Sequence, residues 1–459
     1  MKVSINYINQ FLNEKVNFRD LSEKLFQLGH ENDLDKDLID IEITPNRGDC
    51  LSMVGLLREL KNFYTIDLKT DIYDHDIDSL DLDFENNAIK DCPNISFLEI
   101  KIDEISSNYK PYLENYFEEM KVKKINFFTD ISNYLSYEIG QPTHCYDFKA
   151  IGNNLKLENI ELNEEFLTLA EKSINLQGKN LVFTKNGKVV NLAGVMGGKE
   201  SACSDKTKHA LIESAFFRPE SIIGKSIKYG LNSDAAYKFE RGVDPKINEF
   251  ALRRFIKIVS DHAEIKQLKI YTQKSSNLII KKIPFDLKKI QQILGIEVKE
   301  DKCKEYLEKL DFKFTNHQIM VPSHRHDISN LNDIAEEVAR IIGYDNIPSE
   351  KYMIQTKHQH QLPKEIKIKQ FFISKGFFEI INYPFSRDKQ EDSICIDNPL
   401  DSSKRFLRNS IVSSLIENLV FNERRQKDSI KIFEISDLYF QDSNTKEIIT
   451  KRRLGLVVS

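Results

Sequence analysis

The stretch from residue 95 to residue 265 constrains the fold more than any other feature, because strand signal is densest there. Apolar and β-branched runs near 96–103, 155–161, 181–185 and 188–192 are separated by tight Gly-bearing turns, among them Asn186-Gly187 and Gly197-Gly198. That combination predicts a hairpin-rich sheet. Helices are expected near 107–120, 218–226 and 244–263. The chain has 459 residues, enough for about three domains of roughly 150 residues each.

The flanks read differently. Leu21, Leu25 and Leu28 share one helical face, with Gly29 as a C-cap. A short alternating strand follows at 39–44, then the turn Pro45-Asn46-Arg47-Gly48-Asp49 and a helix from Cys50 to Leu60. Residues 66–94 are acidic and irregular, which suggests a linker. Residues 280–350 look like a small α+β unit. Residues 360–459 mix helices with short strands, the last over 454–458.

Composition removes several function classes. Lys and Arg number 66 against 71 Asp and Glu, a formal charge of −5, which excludes a generally polybasic nucleic-acid binder but leaves room for a local basic groove. Three short basic runs are visible: Lys121, Lys123 and Lys124; Arg424, Arg425 and Lys427; Lys451, Arg452 and Arg453. The N-terminus lacks an apolar secretory core, and no apolar run reaches the ~18 residues of a membrane span, so no membrane association is expected. None of the six cysteines forms a C-x-x-C pair, which points to reduced thiols in a cytoplasmic protein without a zinc knuckle. Generic nucleotide, zinc-protease and hydrolase signatures are missing. Gly224-Lys225-Ser226 has Pro219 where a phosphate loop needs its first glycine.

Two constellations carry chemistry. The first is Asn133, His144, Gly194, Glu213 and Ser233, each read in a loop or strand-end context of the β-rich middle. Glu213 interrupts an apolar strand and needs a partner if buried. His and Glu are the types that orient water and accept a proton in ester hydrolysis, and a Gly-rich strand end admits a ligand close to the backbone. The structural alternative pairs Glu213 with Arg241 or Lys238 and leaves His144 a core histidine. The second constellation is Asp327, Asp333, Glu336 and Glu337. The last three share a polar face of a helix over 333–341, and clustered oxygen ligands suit Mg²⁺. Its structural alternative is a solvated face neutralised by Arg340.

Taken in order, the segments resemble the β subunit of bacterial phenylalanyl-tRNA synthetase. The motifs are Ile43-Thr44-Pro45-Asn46-Arg47-Gly48-Asp49, Gly140-Gln141-Pro142-Thr143-His144, the 193–198 segment, Phe239-Glu240-Arg241-Gly242-Val243-Asp244-Pro245, Pro322-Ser323-His324-Arg325-His326-Asp327 and Glu336-Glu337-Val338-Ala339-Arg340. The C-terminal third adds Gly376-Phe377-Phe378-Glu379, Asn398-Pro399-Leu400 and Ile432-Phe433-Glu434-Ile435. Several ordered motifs weigh far more than one.

The resemblance implies an α+β, multidomain chain. Its expected parts are an N-terminal domain (1–65), the acidic linker (66–94), a central β-rich B3/B4-type editing domain (95–275), a small α+β B5-type domain (276–350) and a truncated, catalytically inactive class II synthetase-like antiparallel-sheet domain (351–459). It implies an α2β2 heterotetramer in which the α subunit uses ATP and Mg²⁺ to charge tRNA(Phe), while this subunit hydrolyses mischarged Tyr-tRNA(Phe). By the same resemblance His144 and Asn133 line the hydrolytic site and Glu213 bonds the tyrosine hydroxyl. Gly194, Ser233 and Ala235 shape the pocket, and Asp327, Asp333, Glu336 and Glu337 match the Mg²⁺ positions. The sequence departs from the family pattern in four ways. No OB-type insert separates Gly29-His30-Glu31 from the 39–43 strand. The chain ends at Ser459, before an anticodon-binding domain. Lys123-Lys124 replace Arg-Pro, and Ser233 replaces Thr. Two alternatives stay open: a structural subunit with decayed editing, and a free-standing trans-editing hydrolase.

Overall fold

Two five-stranded sheets organise the middle of the chain. The computed structural model describes residues 1–13, 15–105, 108–274, 280–349, 364–387, 389, 393–442 and 445–459, and the chain divides into two units, 1–350 and 351–459. In the first unit the strands that matter are β1 (Asn94–Ile105), β2 (Thr143–Asp147), β3 (Asn154–Leu167), β4 (Ser173–Lys185), β5 (Lys188–Leu192), β6 (His209–Phe216) and β7 (Ala263–Lys274). One sheet runs 78–79, β7, β1, β6, β2; the other runs 196–197, β5, β4, β3, 83–86.

Strand alternation explains the layering. On β1, Ile95 and Phe97 point into an apolar core shared with Leu155, Leu157, Leu181 and Phe183 of the other sheet. Leu98, Ile100 and Ile102 point the opposite way, into a second core. That core is closed by helix 111–120, α1 (Phe127–Ile139) and α3 (Asn248–Ser260); α2 (Asp234–Arg241) belongs instead to the inter-sheet side. The first sheet is therefore buried on both faces, by a sheet on one and helices on the other.

All four predicted strands of this region fall inside β1, β3, β4 and β5. The predicted helix near 218–226 is two short ones, Pro219–Ile222 and Lys225–Tyr229, because Gly224 between them takes φ +77°. The helix near 244–263 begins only at Asn248, after Pro245. α1 was not expected: its sequence carries an Asn126 N-cap and a Gly140 in the left-handed C-cap position, a complete pair of helix punctuation. The acidic stretch 66–94 is more than a linker. Asp78–Ser79 pairs in parallel with β7, and Asp83–Asn86 in parallel with β3.

The N-terminal region holds a three-stranded antiparallel sheet (2–4, 38–41, 32–35) under two helices, Phe18–Gln27 and Met53–Leu60. Residues 282–320 form another small sheet, followed by α4 (Leu331–Ile342). Sequence reasoning separates these two segments. Their side chains form one continuous core instead, with Leu21, Leu25, Leu56 and Leu57 packed in the same cluster as Ile290, Leu307, Ile334 and Val338.

In the second unit, helices α5 (Lys364–Ser374) and α6 (Val412–Glu423) accompany a three-stranded sheet of 378–379, 431–441 and 448–458. The long pair is antiparallel, but 378–379 joins in parallel, so the sheet is not wholly antiparallel as expected. A buried Arg408–Glu434 bridge at 2.7 Å, with Asn382 also on Glu434, pins the start of the long strand.

Candidate functional site

Period-2 alternation puts the first constellation's two titratable residues on one face. On β6, Leu211 and Ala215 line the inter-sheet core, so Glu213 between them faces the same way. On β2, Tyr146 lines that core and His144, two residues earlier, shares its face. The β2–β6 register sets Glu213 opposite His144. Residues 69 positions apart in sequence thus become cross-strand neighbours.

Glu213 is only 4% exposed. Its Oε2 accepts the Tyr146 hydroxyl at 2.8 Å, and Asn191 Nδ2 on β5 donates to that same hydroxyl at 2.8 Å and to Oε2 at 3.4 Å. No cation pairs with it among the described residues, so burial pushes its carboxyl up to about 8, with the Tyr146 bond opposing. The imidazole of His144 stands edge-on to the Tyr146 ring at 4.3 Å. Burial pushes it down to about 4, so it is neutral at pH 7. Its Nε2 is buried and has no hydrogen-bond partner among the described residues.

Gly197 leaves the room that His144 needs, and Gly194 lies where a side chain would collide with the neighbouring core. A Cβ on Gly197 would fall 2.2 Å from His144 Cε1, and one on Gly194, at φ +68°, would meet Ile222 and Phe217 at 2.9 Å. Ser233 is the N-cap of α2: its Oγ accepts from Ala236 N at 3.1 Å and donates to the Val195 carbonyl at 2.5 Å. Ala235, in the first turn of α2, packs half-buried against the inter-sheet core.

Three readings need correction. Asn133 lies on α1, not in a loop. That helix packs against the opposite face of the sheet, with Ser132 Oγ on the Thr143 carbonyl at 2.7 Å, and no hydrogen bond joins Asn133 to His144 or Glu213. Glu213 sits within a strand rather than in a loop or at a strand end. The structural alternative for Glu213 also fails. Lys238 donates to Ser136 at 2.7 and 2.9 Å, and Arg241 stacks on Tyr237 at 3.5 Å. Sequence reasoning missed Tyr146, Asn191 and Gly197. The i+2 spacing of Tyr146 from His144 and the lone amide in Val189-Val190-Asn191-Leu192 are the signals for the first two.

The acidic constellation does not converge on a cation. Arg325 holds Asp327 at 2.9 and 2.8 Å and Glu337 at 2.8 and 2.7 Å, and Arg340 adds a second guanidinium to Glu337. Burial raises the Glu337 carboxyl, but Arg340 and Arg325 outweigh it and hold it near 2. Asp333 caps α4, accepting from Ser329 N at 2.6 Å and Asn330 N at 3.0 Å. Glu336 is exposed. Arginine thus occupies Asp327 and Glu337, the cap occupies Asp333, and among the described residues the four carboxylates do not gather closely enough to fit an Mg²⁺ site. Arg340 also bridges to Glu59, which Arg47 meets at 2.6 Å. His30, Cys50 and Glu59 approach one another there, yet the two arginines crowd the same carboxylate.

The basic runs are engaged locally. Lys124 lies over Tyr109, Arg425 over Phe421, and Arg452 bonds Glu365 at 2.9 Å. The six cysteines are free, and no described helix is long and apolar enough to cross a membrane.

Three family models match in succession: the B3/4 domain over residues 97–264, the tRNA synthetase B5 domain over 283–344, and the phenylalanyl tRNA synthetase beta chain CLM domain over 346–459. The phenylalanine–tRNA ligase beta subunit of Psychrobacter arcticus is 28% identical over 92% of this chain and 55% of its own length. That of Neisseria meningitidis serogroup B is 29% identical over 92% of the chain and 56% of its own. The chain thus spans about half the length of the curated relatives it matches. An N-terminal fragment of the Pyrococcus horikoshii phenylalanyl-tRNA synthetase β subunit aligns with a TM-score of 0.41 and 13% identity, over 74% of this chain and 99% of the fragment. With these three domains following one another in order, and relatives of one name aligned along nine-tenths of its length, the chain belongs to the phenylalanine–tRNA ligase β-subunit family.

Proposed function

We propose that this chain serves a phenylalanine–tRNA ligase as the subunit that hydrolyses tyrosine wrongly esterified to tRNA(Phe), at the His144–Glu213 pocket. The observation that carries the reading is an imidazole, neutral at pH 7 and with an unpartnered Nε2, directly across a strand pair from a carboxyl that no cation neutralises among the described residues. Tyr differs from Phe by one hydroxyl, which an apolar synthetic pocket rejects only modestly, so a second, hydrolytic site is useful. A buried carboxyl rewards a ligand that brings a phenol O–H and penalises one that leaves it unpaired. In our reading Glu213 accepts that hydroxyl and the neutral His144 Nε2 takes a proton from water as it attacks the ester carbonyl. The acyl C–O bond to the ribose oxygen breaks and His144 returns the proton to that oxygen, giving tyrosine and the free tRNA end. Gly194, Ser233 and Ala235 shape the wall.

ATP-dependent charging, with its Mg²⁺, belongs in this reading to a partner α subunit, and the assembly is an α2β2 heterotetramer in the cytoplasm. Large apolar side chains exposed in the second unit, including Phe378, Ile381, Tyr383 and Leu400, support a protein partner. No step of the hydrolysis passes through a metal. Incubation of the purified chain with Tyr-tRNA(Phe), with and without α, tests the reading. Ester loss above the buffer rate that disappears in His144→Ala and Glu213→Ala is expected. No hydrolysis from a well-formed complex with α overturns it in favour of a structural subunit.

A further inference from the structure

Glu213 already holds a phenol. The hydroxyl of Tyr146 sits on its Oε2 at 2.8 Å, the distance at which the tyrosine of a mischarged ester would itself be received. Asn191 reaches across from the other sheet and donates to both Tyr146 Oη and Glu213 Oε2. Both of these donors address Oε2, and no described residue hydrogen-bonds Oε1. We infer that Tyr146 and Asn191 are specificity-determining positioning residues. They clamp one oxygen of Glu213 so that the other faces the pocket as a fixed acceptor for the substrate hydroxyl. This inference rests on the editing reading above.

The physical argument has two parts. A glutamate has three rotatable side-chain bonds, and ordering it at the moment of binding would offset part of any hydrogen bond gained. Two donors on Oε2 remove that freedom beforehand, and the Tyr146 ring is itself fixed, fully buried between His144 and Phe183. Second, acceptance of a hydroxyl is graded by the charge on the acceptor. The bond from Tyr146 works against burial and favours the ionised carboxyl. The titratable groups around Glu213 are His144, Cys145 and Tyr146 on β2 and Cys92 before β1; no lysine or arginine among the described residues forms an ion pair with it. Tyr146 and Asn191 are thus the two groups that hold this carboxyl in place.

The test compares hydrolysis of Tyr-tRNA(Phe) and Phe-tRNA(Phe) by the full chain with α, for wild type, Tyr146→Phe, Asn191→Leu and His144→Ala. Tyr146→Phe keeps the ring and its packing. It is expected to lower the Tyr-to-Phe ratio of kcat/KM by about tenfold, the greater loss falling on the Tyr ester, and to move the pH profile of that ratio upward. Asn191→Leu is expected to lower the same ratio. Equal losses on both esters would mark a merely structural role and overturn the inference. So would an unchanged ratio in a Tyr146→Phe chain whose wild type prefers Tyr, and in that case the editing reading stands. A wild type that hydrolyses neither ester, or both alike, removes the editing reading and this inference together.

Discussion

Replacing Gly197 with Ala tests the site without touching any group that does chemistry. An ideal Cβ at residue 197 falls 2.2 Å from His144 Cε1, 2.7 Å from His144 Nε2 and 2.9 Å from Leu169 Cδ1. Carbon atoms rest at about 3.5–4.0 Å from one another, so the imidazole must retreat by more than about 1 Å. It has little space to do so, with the Tyr146 ring 4.3 Å away and Glu213 directly opposite. Gly197 is not among the positive-φ glycines, so the perturbation is the contact alone. Overpacking of this kind costs about 1–3 kcal/mol of stability. A displacement of about 1 Å in a reacting group costs about 100-fold in rate. Hydrolysis of Tyr-tRNA(Phe) is therefore expected to fall about 100-fold, followed as release of labelled tyrosine, while urea unfolding confirms a folded chain. Gly187→Ala supplies the control. Nothing lies within 4 Å of its Cβ, but φ is +78°, so it loses about 1 kcal/mol through backbone strain and should keep full activity. A folded Gly197→Ala chain hydrolysing at the wild-type rate would refute the placement of His144 in the reaction.

Further outcomes follow from the same structure. The folded Glu213 carboxyl stands at about 8 against an ordinary 4.5, so the stability it contributes is present below about pH 4.5 and is lost as pH rises through 8; Glu213→Gln should raise the urea midpoint by an amount that grows across that window, and a pH-independent difference would contradict it. Glu337 has the opposite sign: held near 2, it contributes stability above about pH 4.5 that disappears as pH falls toward 2, so the urea midpoint of the wild type should drop through that range and that of Glu337→Gln should drop less. Arg340→Met leaves Glu59 and Glu337 short of a partner in the interior and should cost about 3–5 kcal/mol in denaturant unfolding. Added Mg²⁺ or a chelator should leave the unfolding midpoint of the chain unchanged, since arginine already fills Asp327 and Glu337. Ser233→Ala should lose about 1 kcal/mol with its cap, read by the same denaturation.

The sequence made the central strands legible because their alternation and Gly turns are local signals, and β1, β3, β4 and β5 appear where those signals lie. His144 and Glu213 were legible as residue types out of place in apolar strands. Their meeting was not, because it depends on the register between β2 and β6. A slip of one residue would turn every side chain of the strand to the other face. Asn191 was invisible for a related reason: it reaches Glu213 from the second sheet, and which faces of two sheets oppose one another is a tertiary fact. The α1 helix was missed because an apolar run ending in the 127–139 segment reads equally as strand or helix until its caps are weighed.

The acidic constellation shows why composition along one helix misleads. Asp333, Glu336 and Glu337 share a polar face, and with Asp327 they read as four clustered oxygen ligands. The compensating charge comes from elsewhere. Arg325 lies eight residues upstream of Asp333 in the same motif that supplies Asp327, and it bonds both Asp327 and Glu337. Arg340 bonds Glu337 on one side and Glu59 on the other, and Arg47 joins Glu59 to Asp49. Carboxylate and guanidinium thus alternate from Asp49 to Asp327 through the interior, four of one against three of the other. Ion pairs so deeply buried gain little net stability over apolar packing, yet each becomes expensive to break. These pairs run through the apolar core that the two segments share. The N-terminal segment contributes Arg47, Asp49 and Glu59, one carboxylate in excess, and Arg340 of the 325–340 segment supplies the second guanidinium that Glu59 meets. The two motifs that sequence reading assigns to separate domains, one around Arg47 and the other around Arg325, are halves of one electrostatic closure. Its consequence for the pocket is indirect but physical. Gly48, in the first of these motifs, packs against the carbonyls of Arg241 and Gly242 at the end of α2, with 2.5 Å from an ideal Cβ to either oxygen. The helix that Ser233 caps at one end is therefore seated at the other on a backbone turn that the charge chain holds fixed.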